Sequence, residues 1–167
     1  MINLESSVRI SGQLKTSRDG GDAVFDIDER ARQDVDNGTT IGKANAIYVD
    51  DFSIPASSTL ALDLSGSLED AHGNPLVFTA IKEILIVTAA GNVNNVVVGN
   101  GGANSFLGPL GAIAHTVTLL PNNRLNVSNY SAAGWPVVAA TGDILQLANS
   151  GAGSAVTGTI VIVGVTA

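Results

Sequence analysis

Thr59-Leu60-Ala61-Leu62-Asp63-Leu64 decides the fold class, because a leucine occupies every second position along it. A β-strand places successive side chains on opposite faces, so this alternation predicts a strand with one buried face and one face in water. Ser7-Val8-Arg9-Ile10-Ser11 alternates in the same way. Two runs with less alternation, Ile84-Leu85-Ile86-Val87 and Thr159-Ile160-Val161-Ile162-Val163, are typical of central strands that are covered on both sides.

Similar short runs of Val, Ile, Leu and Thr recur along the whole chain, separated by clusters of Gly, Asn, Ser and Pro. This pattern predicts an all-β protein, a jelly-roll-like or related antiparallel β-sandwich or barrel. Only residues 28–35, with the sequence DERARQDV, have a locally helical character. The predicted strands are residues 7–16, 23–27, 44–54, 59–64, 76–89, 94–98, 115–120, 124–127, 137–140, 144–148 and 156–165.

The chain divides by composition into residues 1–42, which are polar and charged, and residues 43–167, which form one continuous β-domain. Two interpretations of residues 1–42 stay open at this point. They are either an arm or hairpin that packs on a neighbouring molecule, or the first strands of a single sandwich.

The overall composition is that of one domain that buries its own core. The chain has 167 residues, 45% of them hydrophobic, with a mean hydropathy of +0.30 and no cysteine. The lack of cysteine excludes a disulfide scaffold, a thiolate zinc site and a cysteine nucleophile. No apolar run approaches the ~18 residues that a membrane span needs, and the first residues do not have the pattern of a secretory signal. We therefore expect no membrane partner.

Charge is distributed very unevenly along the chain. Residues 1–83 carry the whole net charge of −7, whereas residues 84–167 contain only two charged side chains, Arg124 and Asp143. An acidic protein without clustered Lys and Arg is not expected to bind nucleic acid. A segment so poor in charge must be covered by something or solvated by Asn, Ser, Thr and backbone groups. Both situations occur in proteins that are part of an assembly.

No motif for a cofactor or a metal ion is complete, so we expect neither. Residues 38–44 (GTTIGKA) superficially resemble a phosphate-binding loop, but they have one residue too few between the glycines and no Ser or Thr after the lysine. Asp34, Asp36 and Asn37 do not match an EF-hand, although a different kind of calcium site remains an alternative there. A solvated charged loop is the simpler interpretation.

No catalytic motif is present either, and we expect the protein not to be an enzyme. His72 and His115 are the only histidines, and no nucleophile elbow is present. Carboxylates for glycoside cleavage could come from Asp50, Asp51, Asp63 or Glu69, but their spacing selects no pair. Glycan binding is a better alternative, with Tyr130 and Trp135 in one loop as the candidate aromatic platform.

Several stretches resemble a group of small structural proteins encoded among the head and tail genes of tailed bacteriophages and prophages. The resemblance covers roughly residues 43–167. The residues that carry it are 60–74 (LALDLSGSLEDAHGN), 76–82 (LVFTAIK), 89–92 (AAGN), 96–99 (VVVG) and 141–151 (TGDILQLANSG).

The resemblance implies a virion component, such as a capsid decoration or cement protein on the surface of the phage head, assembled in the bacterial cytoplasm. Such proteins are typically all-β and often trimeric, so the implied partners are further copies of the chain and the major capsid protein. The alternative location is the tail, as a baseplate or fibre module that binds host glycan. The resemblance supplies no catalytic residues. Candidate contacts with other subunits or partners are the apolar residues beside loops, namely Phe52, Phe106, Leu107, Tyr130 and Trp135.

Overall fold

The computed structural model describes residues 2–167 and is built almost entirely of β-strands. A single 3-10 turn, Gly102–Asn104, is the only helical element in this part of the chain. The strands are β1 (Asn3–Thr16), β2 (Ala23–Asn37), β3 (Lys43–Ala44), β4 (Ala46–Ile54), β5 (Thr59–Asp63), β6 (Leu68–Glu69), β7 (Pro75–Leu76), β8 (Phe78–Thr88), β9 (Val96–Gly99), β10 (Thr116–Leu119), β11 (Arg124–Ser128), β12 (Trp135–Pro136), β13 (Ile144–Asn149) and β14 (Val156–Thr166).

Nine strands form two antiparallel sheets, which makes the protein an all-β sandwich. One sheet has four strands, and the other has four strands plus the short strand β12, which pairs with β8. The first sheet has the order β11-β8-β14-β4, and the second has the order β10-β9-β13-β5. The pairs β4–β14, β5–β13, β8–β11 and β9–β10 are nested in sequence. One long double-stranded ribbon is thus wound into two sheets, which is the strand order of a jelly roll. The predicted fold class is confirmed.

The core lies between the two sheets and is continuous. β4, β8 and β14 contribute alternate residues from the first sheet, including Ile54, Ile86 and Ile160, which are at most 1% exposed. β9 and β13 contribute from the second sheet, with Val96 and Leu147 fully buried. β8 and β14 are the central strands of the first sheet, as their apolar runs predicted. Their outer face is only partly covered, since Val87 is 40% exposed.

Two glycines in β14 have a packing role. A Cβ atom on Gly158 would lie 2.3 Å from the carbonyl oxygen of Val87 and 2.6 Å from the ring of Phe52. A Cβ atom on Gly164 would lie 2.6 Å from both the carbonyl oxygen of Ala80 and the ring of Phe78. The glycines therefore let two aromatic rings lie directly over the strand.

Residues 3–37 form a sheet of their own outside the sandwich. β1 and β2 are paired over their full length, from Asn3 opposite Asp36 to Thr16 opposite Ala23. The turn between them includes Gly21 at a φ of +119°. β2 then pairs in parallel with β3, which leads into the sandwich.

Two local predictions are wrong. Residues 28–35 are part of strand β2 and not helical. Their apolar positions, Ala31 and Val35, follow the two-residue period of a strand, and the intervening charges pair with residues on β1. The predicted strand at residues 137–140 is also absent, because the chain pairs only at Trp135–Pro136 and then turns, with Ala140 at a φ of +64°.

Candidate interaction surface

The pairing register of the β1–β2 hairpin gives it two chemically different faces. Residues directly opposite each other in an antiparallel pair share a face, and the next pair along points to the other side. One face is mainly apolar, and we call it the apolar face. It carries the pairs Leu4/Val35, Ser6/Gln33, Val8/Ala31, Ile10/Glu29, Gly12/Ile27, Leu14/Phe25 and Thr16/Ala23.

The other face, which we call the charged face, is held by a network of ion pairs. Arg9 and Arg30 lie directly opposite each other, which alone would be unfavourable. Arg9 Nε is 2.7 Å from Asp28, and an Nη of Arg30 is 2.5 Å from Glu5. These side chains are about half exposed, so each pair contributes little to stability. Through these ion pairs the charged side chains find their partners within the hairpin.

The base of the hairpin is anchored to the outer face of the first sheet through its apolar face. Val35 is 1% exposed and forms a small second core with Ala44 and Val163. Leu4 and Ile47 pack against this cluster. Two residues further along β1, Ser6 donates a hydrogen bond of 2.6 Å to Oε1 of Glu83 on β8.

The hairpin runs across the outer face of the first sheet and extends beyond its edge strand β11. Leu4 lies at β14, Ser6 at β8, and Val8 lines a cavity together with Asn126 and Ser128 of the edge strand β11. Further out, the apolar side chains are largely exposed. The structure leaves Ile10, Leu14 and Phe25 65–66% exposed, and Ile27 39% exposed.

The outer face of the first sheet has an apolar patch of its own beside this crossing. The register places Val49, Val161 and Leu85 in one row across β4, β14 and β8, with Val87 in the next row. Val49 is 58% exposed and Val87 is 40% exposed. We call these four residues the sheet patch. Arg124 lies at its border, directly opposite Val87.

Arg124 is the exposed charge of the C-terminal half. The other charged residue there, Asp143, is 4% exposed and lies within the fold. Glu29 is the one charged side chain on the apolar face of the hairpin. Across residues 2–167, neither Arg124 nor Glu29 has an ion-pair partner.

The sequence-predicted contact residues are placed very differently from one another. Phe52 and Phe106 are 4% and 1% exposed and belong to the main core, so a partner cannot reach them. Leu107 is 39% exposed beside the loop that follows β9. Trp135 is half-buried and packs against the main core while its backbone pairs with Ile81. Tyr130 is also half-buried and packs against the second core, under the base of the hairpin.

Tyr130 and Glu83 form a polar anchor beneath the hairpin. The Tyr130 hydroxyl donates a hydrogen bond of 2.6 Å to Oε2 of Glu83, whose other oxygen accepts the bond from Ser6. Burial and the adjacent Glu83 carboxylate raise the pKa of Tyr130 far above its usual value. Burial and the bond to Asp50 raise the pKa of Tyr48 to about 12.

A buried lysine holds the loop that carries Tyr130 and Trp135. Lys82 is fully buried, and its ammonium group donates hydrogen bonds to the carbonyl oxygens of Ser131 and Ala132 at 2.5 and 2.9 Å. Burial lowers the pKa of Lys82. The loop is therefore fastened to the sandwich from below, and its two aromatic rings are not a free platform.

Of the four candidate carboxylates, Asp50 and Glu69 line one polar cavity together with Tyr48 and Asp70, whereas Asp63 lies beside Asp143. Asp63 and Asp143 share the hydroxyl of Ser65, at 3.1 and 2.8 Å, and Asp143 Oδ1 is buried without a hydrogen-bond partner. Asp34 pairs with Arg32 on the charged face. Within the described residues, no three His, Asp or Glu side chains are grouped so that they could hold a metal ion.

The segment that resembles a phosphate loop is the return from the hairpin to the sandwich. Gly42 has a φ of +71° and its amide donates to the carbonyl oxygen of Tyr130 at 2.9 Å. A strand follows it, and not the helix that a phosphate loop requires. Between residues 2 and 167, no helix is long and apolar enough to cross a membrane.

Comparison with known proteins adds little to this description. No family model matches the chain, and no curated protein matches it. Among solved structures, the mitogen of Yersinia pseudotuberculosis aligns over 72% of this chain and 86% of its own, with 13% identity and a TM-score of 0.35. A likeness at that level carries no argument about fold or function.

The sequence contained a signal for the amphipathic hairpin that the prediction of a helix at residues 28–35 obscured. Apolar residues occupy even positions in β1, at Val8, Ile10 and Leu14, and odd positions in β2, at Phe25 and Ile27. Two such stretches on either side of a Gly-Gly turn place all five side chains on one face of a hairpin. The exposure of this face could not be deduced, since it depends on where the sandwich ends.

Proposed function

We propose that this protein is a non-enzymatic structural protein of a phage virion, and more specifically a capsid decoration protein that assembles as a homotrimer on the head. The observation that carries the proposal is the hairpin, which leaves the sandwich with one apolar and one charged face. A two-stranded element with an uncovered apolar face has a place in an assembly, where another surface covers it. The sequence resemblance to phage structural proteins points to the same class.

The proposed mechanism is the burial of surface across the joints between capsid subunits. Each buried Å² of apolar surface contributes roughly 25 cal/mol, so many small contacts around the shell add up to a large stabilisation against internal pressure. The sandwich supplies a rigid body, and its sparse charge suits close contact with neighbouring subunits. The partners are further copies of this chain and the major capsid protein.

The test has two parts, the composition of virions and binding to shells. Mass spectrometry of purified particles is expected to find the chain at a fixed ratio to the major capsid protein. Purified protein added to undecorated, expanded capsids is expected to bind cooperatively and to raise the temperature at which the shells break.

Absence from the particles, together with no binding to the matching capsids, would overturn the proposal. A finding that the protein occurs only in tails and binds host glycan would also overturn it. Trp135→Ala separates these outcomes, because the decoration proposed here rests on the hairpin, whereas the glycan alternative uses the half-buried Trp135 ring as its platform. Capsid binding is therefore expected to persist in that variant.

A further inference from the structure

We infer that the outer part of the hairpin docks, through its apolar face, on the sheet patch of a second copy of this chain. This inference deepens the proposed function, since it rests on the self-association included there. It identifies the two surfaces involved. It does not depend on the presence of a capsid.

The proposed contact continues one that each chain already makes within itself. Near its base the apolar face is seated on the outer face of the first sheet, where Leu4 and Val35 pack with Val163 and Ile47. Beyond the edge strand the same face continues with Ile10, Leu14 and Phe25, and there the sheet ends. The surface that suits this continuation is the same kind of sheet face on a neighbouring copy.

The sheet patch is available to receive the hairpin of a second copy. The sheet patch leaves Val49 58% and Val87 40% exposed, beside the place where the chain's own hairpin crosses. Leu85 and Val161 extend the patch toward the hairpin base. An incoming hairpin would thus meet apolar side chains in rows that match the pleat of its own apolar face.

Opposite charges on the apolar face and at the border of the sheet patch also favour this contact. Glu29 is the one charge on the apolar face and Arg124 is the basic residue at the border of the sheet patch. Both are exposed, and within residues 2–167 neither has an ion-pair partner. Docking would bring these opposite charges together, which fixes the register of the contact.

The size of the surface also suits a cyclic assembly. From Val8 to Thr16 the apolar face is about 30 Å long, at roughly 3.3 Å per residue, and about 10 Å wide. Its footprint is therefore about 300 Å². In a ring each joint would bury about 300 Å² on each partner, well below the ~800 Å² per partner of a stable interface, so each copy must both donate a hairpin and receive another for the association to hold.

The test is the mass in solution of the intact chain and its variants, measured by light scattering from micromolar to high micromolar concentration. The wild type is expected to form a closed oligomer, a multiple of 16.9 kDa. Leu14→Asn combined with Phe25→Asn is expected to yield monomers, because this exposed cross-strand pair supplies most of the outer part of the apolar face. The control is Gln13→Asn on the charged face, which is expected to leave the mass unchanged.

A charge-reversal cycle tests the register. Glu29→Arg and Arg124→Glu are each expected to weaken association roughly tenfold, and the two together are expected to restore most of it. Asp26→Arg makes the same charge change on the charged face and is expected to have no such effect. All these side chains are exposed, and an unchanged thermal midpoint in dilute solution verifies that the sandwich of each variant is folded.

Three results would overturn the inference. They are a wild type that stays monomeric, an oligomer that survives Leu14→Asn with Phe25→Asn, and single charge reversals that do not compensate each other. Failure of the proposed function is distinguishable, because an oligomer that passes these tests but never binds capsids refutes the virion role and leaves the docking intact.

Discussion

At the scale of single residues, Gly158 shows how closely the sandwich is packed. A Cβ there would lie 2.3 Å from the backbone oxygen of Val87, which cannot move without disturbing the central strands. Gly158→Ala is therefore expected to lower the free energy of unfolding by about 1–3 kcal/mol. Denaturant unfolding measures this change.

Gly12→Ala is the matched control. Nothing lies within 4 Å of a Cβ on Gly12, which is in the middle of β1. That variant is expected to change the free energy of unfolding by no more than about 0.5 kcal/mol. Equal losses in the two variants would contradict the packing described around Phe52.

Asp143 is a second residue whose environment predicts a measurable effect. Its Oδ2 accepts hydrogen bonds from Ser65 and from the amide of Ala140, while its Oδ1 is buried without a partner. Asp143→Asn keeps one accepting oxygen and removes the charge, so the variant is expected to be as stable as the wild type or more stable. Asp143→Ala removes both bonds and is expected to cost about 1–3 kcal/mol in denaturant unfolding. A large loss in the asparagine variant and none in the alanine variant would contradict this account.

The raised pKa of Tyr130 predicts how the free energy of unfolding depends on alkaline pH. In the unfolded chain a tyrosine loses its proton near pH 10, whereas in the folded chain the raised pKa keeps Tyr130 protonated. The folded state then holds more protons, so the free energy of unfolding falls as pH rises above about 10. The slope for one group is about 1.4 kcal/mol per pH unit. Tyr130→Phe is expected to reduce the fall by that amount.

The comparison is made by denaturant unfolding at several pH values. Tyr48→Phe serves as a parallel case, since the folded pKa of Tyr48 is about 12 and its contribution is lost between about pH 10 and 12. Between its lowered folded pKa and its usual pKa, Lys82 binds fewer protons in the folded chain than in the unfolded chain, so it makes the free energy of unfolding rise with pH. This contribution is common to the wild type and the tyrosine variants and cancels in the difference between them. Identical slopes in the wild type and Tyr130→Phe would show that Tyr130 titrates normally.

At the scale of elements, the hairpin and the sandwich are expected to be energetically separate beyond the hairpin base. Replacing residues 8–31 by an Asn-Gly turn joins Ser7 to Arg32, which are directly opposite each other. All the removed residues are exposed, so the free energy of unfolding of the dilute monomer is expected to change by less than about 1 kcal/mol. Oligomer formation is expected to be lost.

Val35→Ala provides the contrast to this shortening. Val35 is 1% exposed in the second core, and removing two methyl groups there is expected to cost more than deleting the whole outer hairpin, about 1–3 kcal/mol. Denaturant unfolding of both variants tests the expectation. If the shortened chain were less stable than Val35→Ala, the outer hairpin would have to support the sandwich.

Most of the strands could be predicted from sequence, because strands have local signals. Leu60 and Leu62 predict a half-buried strand by alternation alone, and the structure places β5 there. The charged run from residue 28 to 35 misled the prediction, because Asp28, Arg30 and Arg32 pair with residues on β1 that are distant in sequence. Phe52 and Phe106 show the same limit, since whether an aromatic residue beside a loop is buried depends on the opposite sheet.

At the scale of the whole molecule, the protein combines a rigid sandwich with an outer hairpin that one chain cannot cover. An isolated two-stranded hairpin is marginally stable in water, so its outer amides open easily in a monomer. Docking on a second copy would give the same amides a packed environment. The stability of the hairpin should therefore depend on protein concentration, while the stability of the sandwich core should not.

Hydrogen exchange of the backbone amides of residues 8–31, measured at low and high protein concentration, tests whether a second copy covers the outer hairpin. The amides of β8 and β14 provide an internal reference, since their side chains form the main core at any concentration. The outer hairpin is expected to exchange fast in dilute solution and slowly in the oligomer. Exchange at one unchanged rate across the whole concentration range would contradict it, because the apolar face would then have no second copy to cover it.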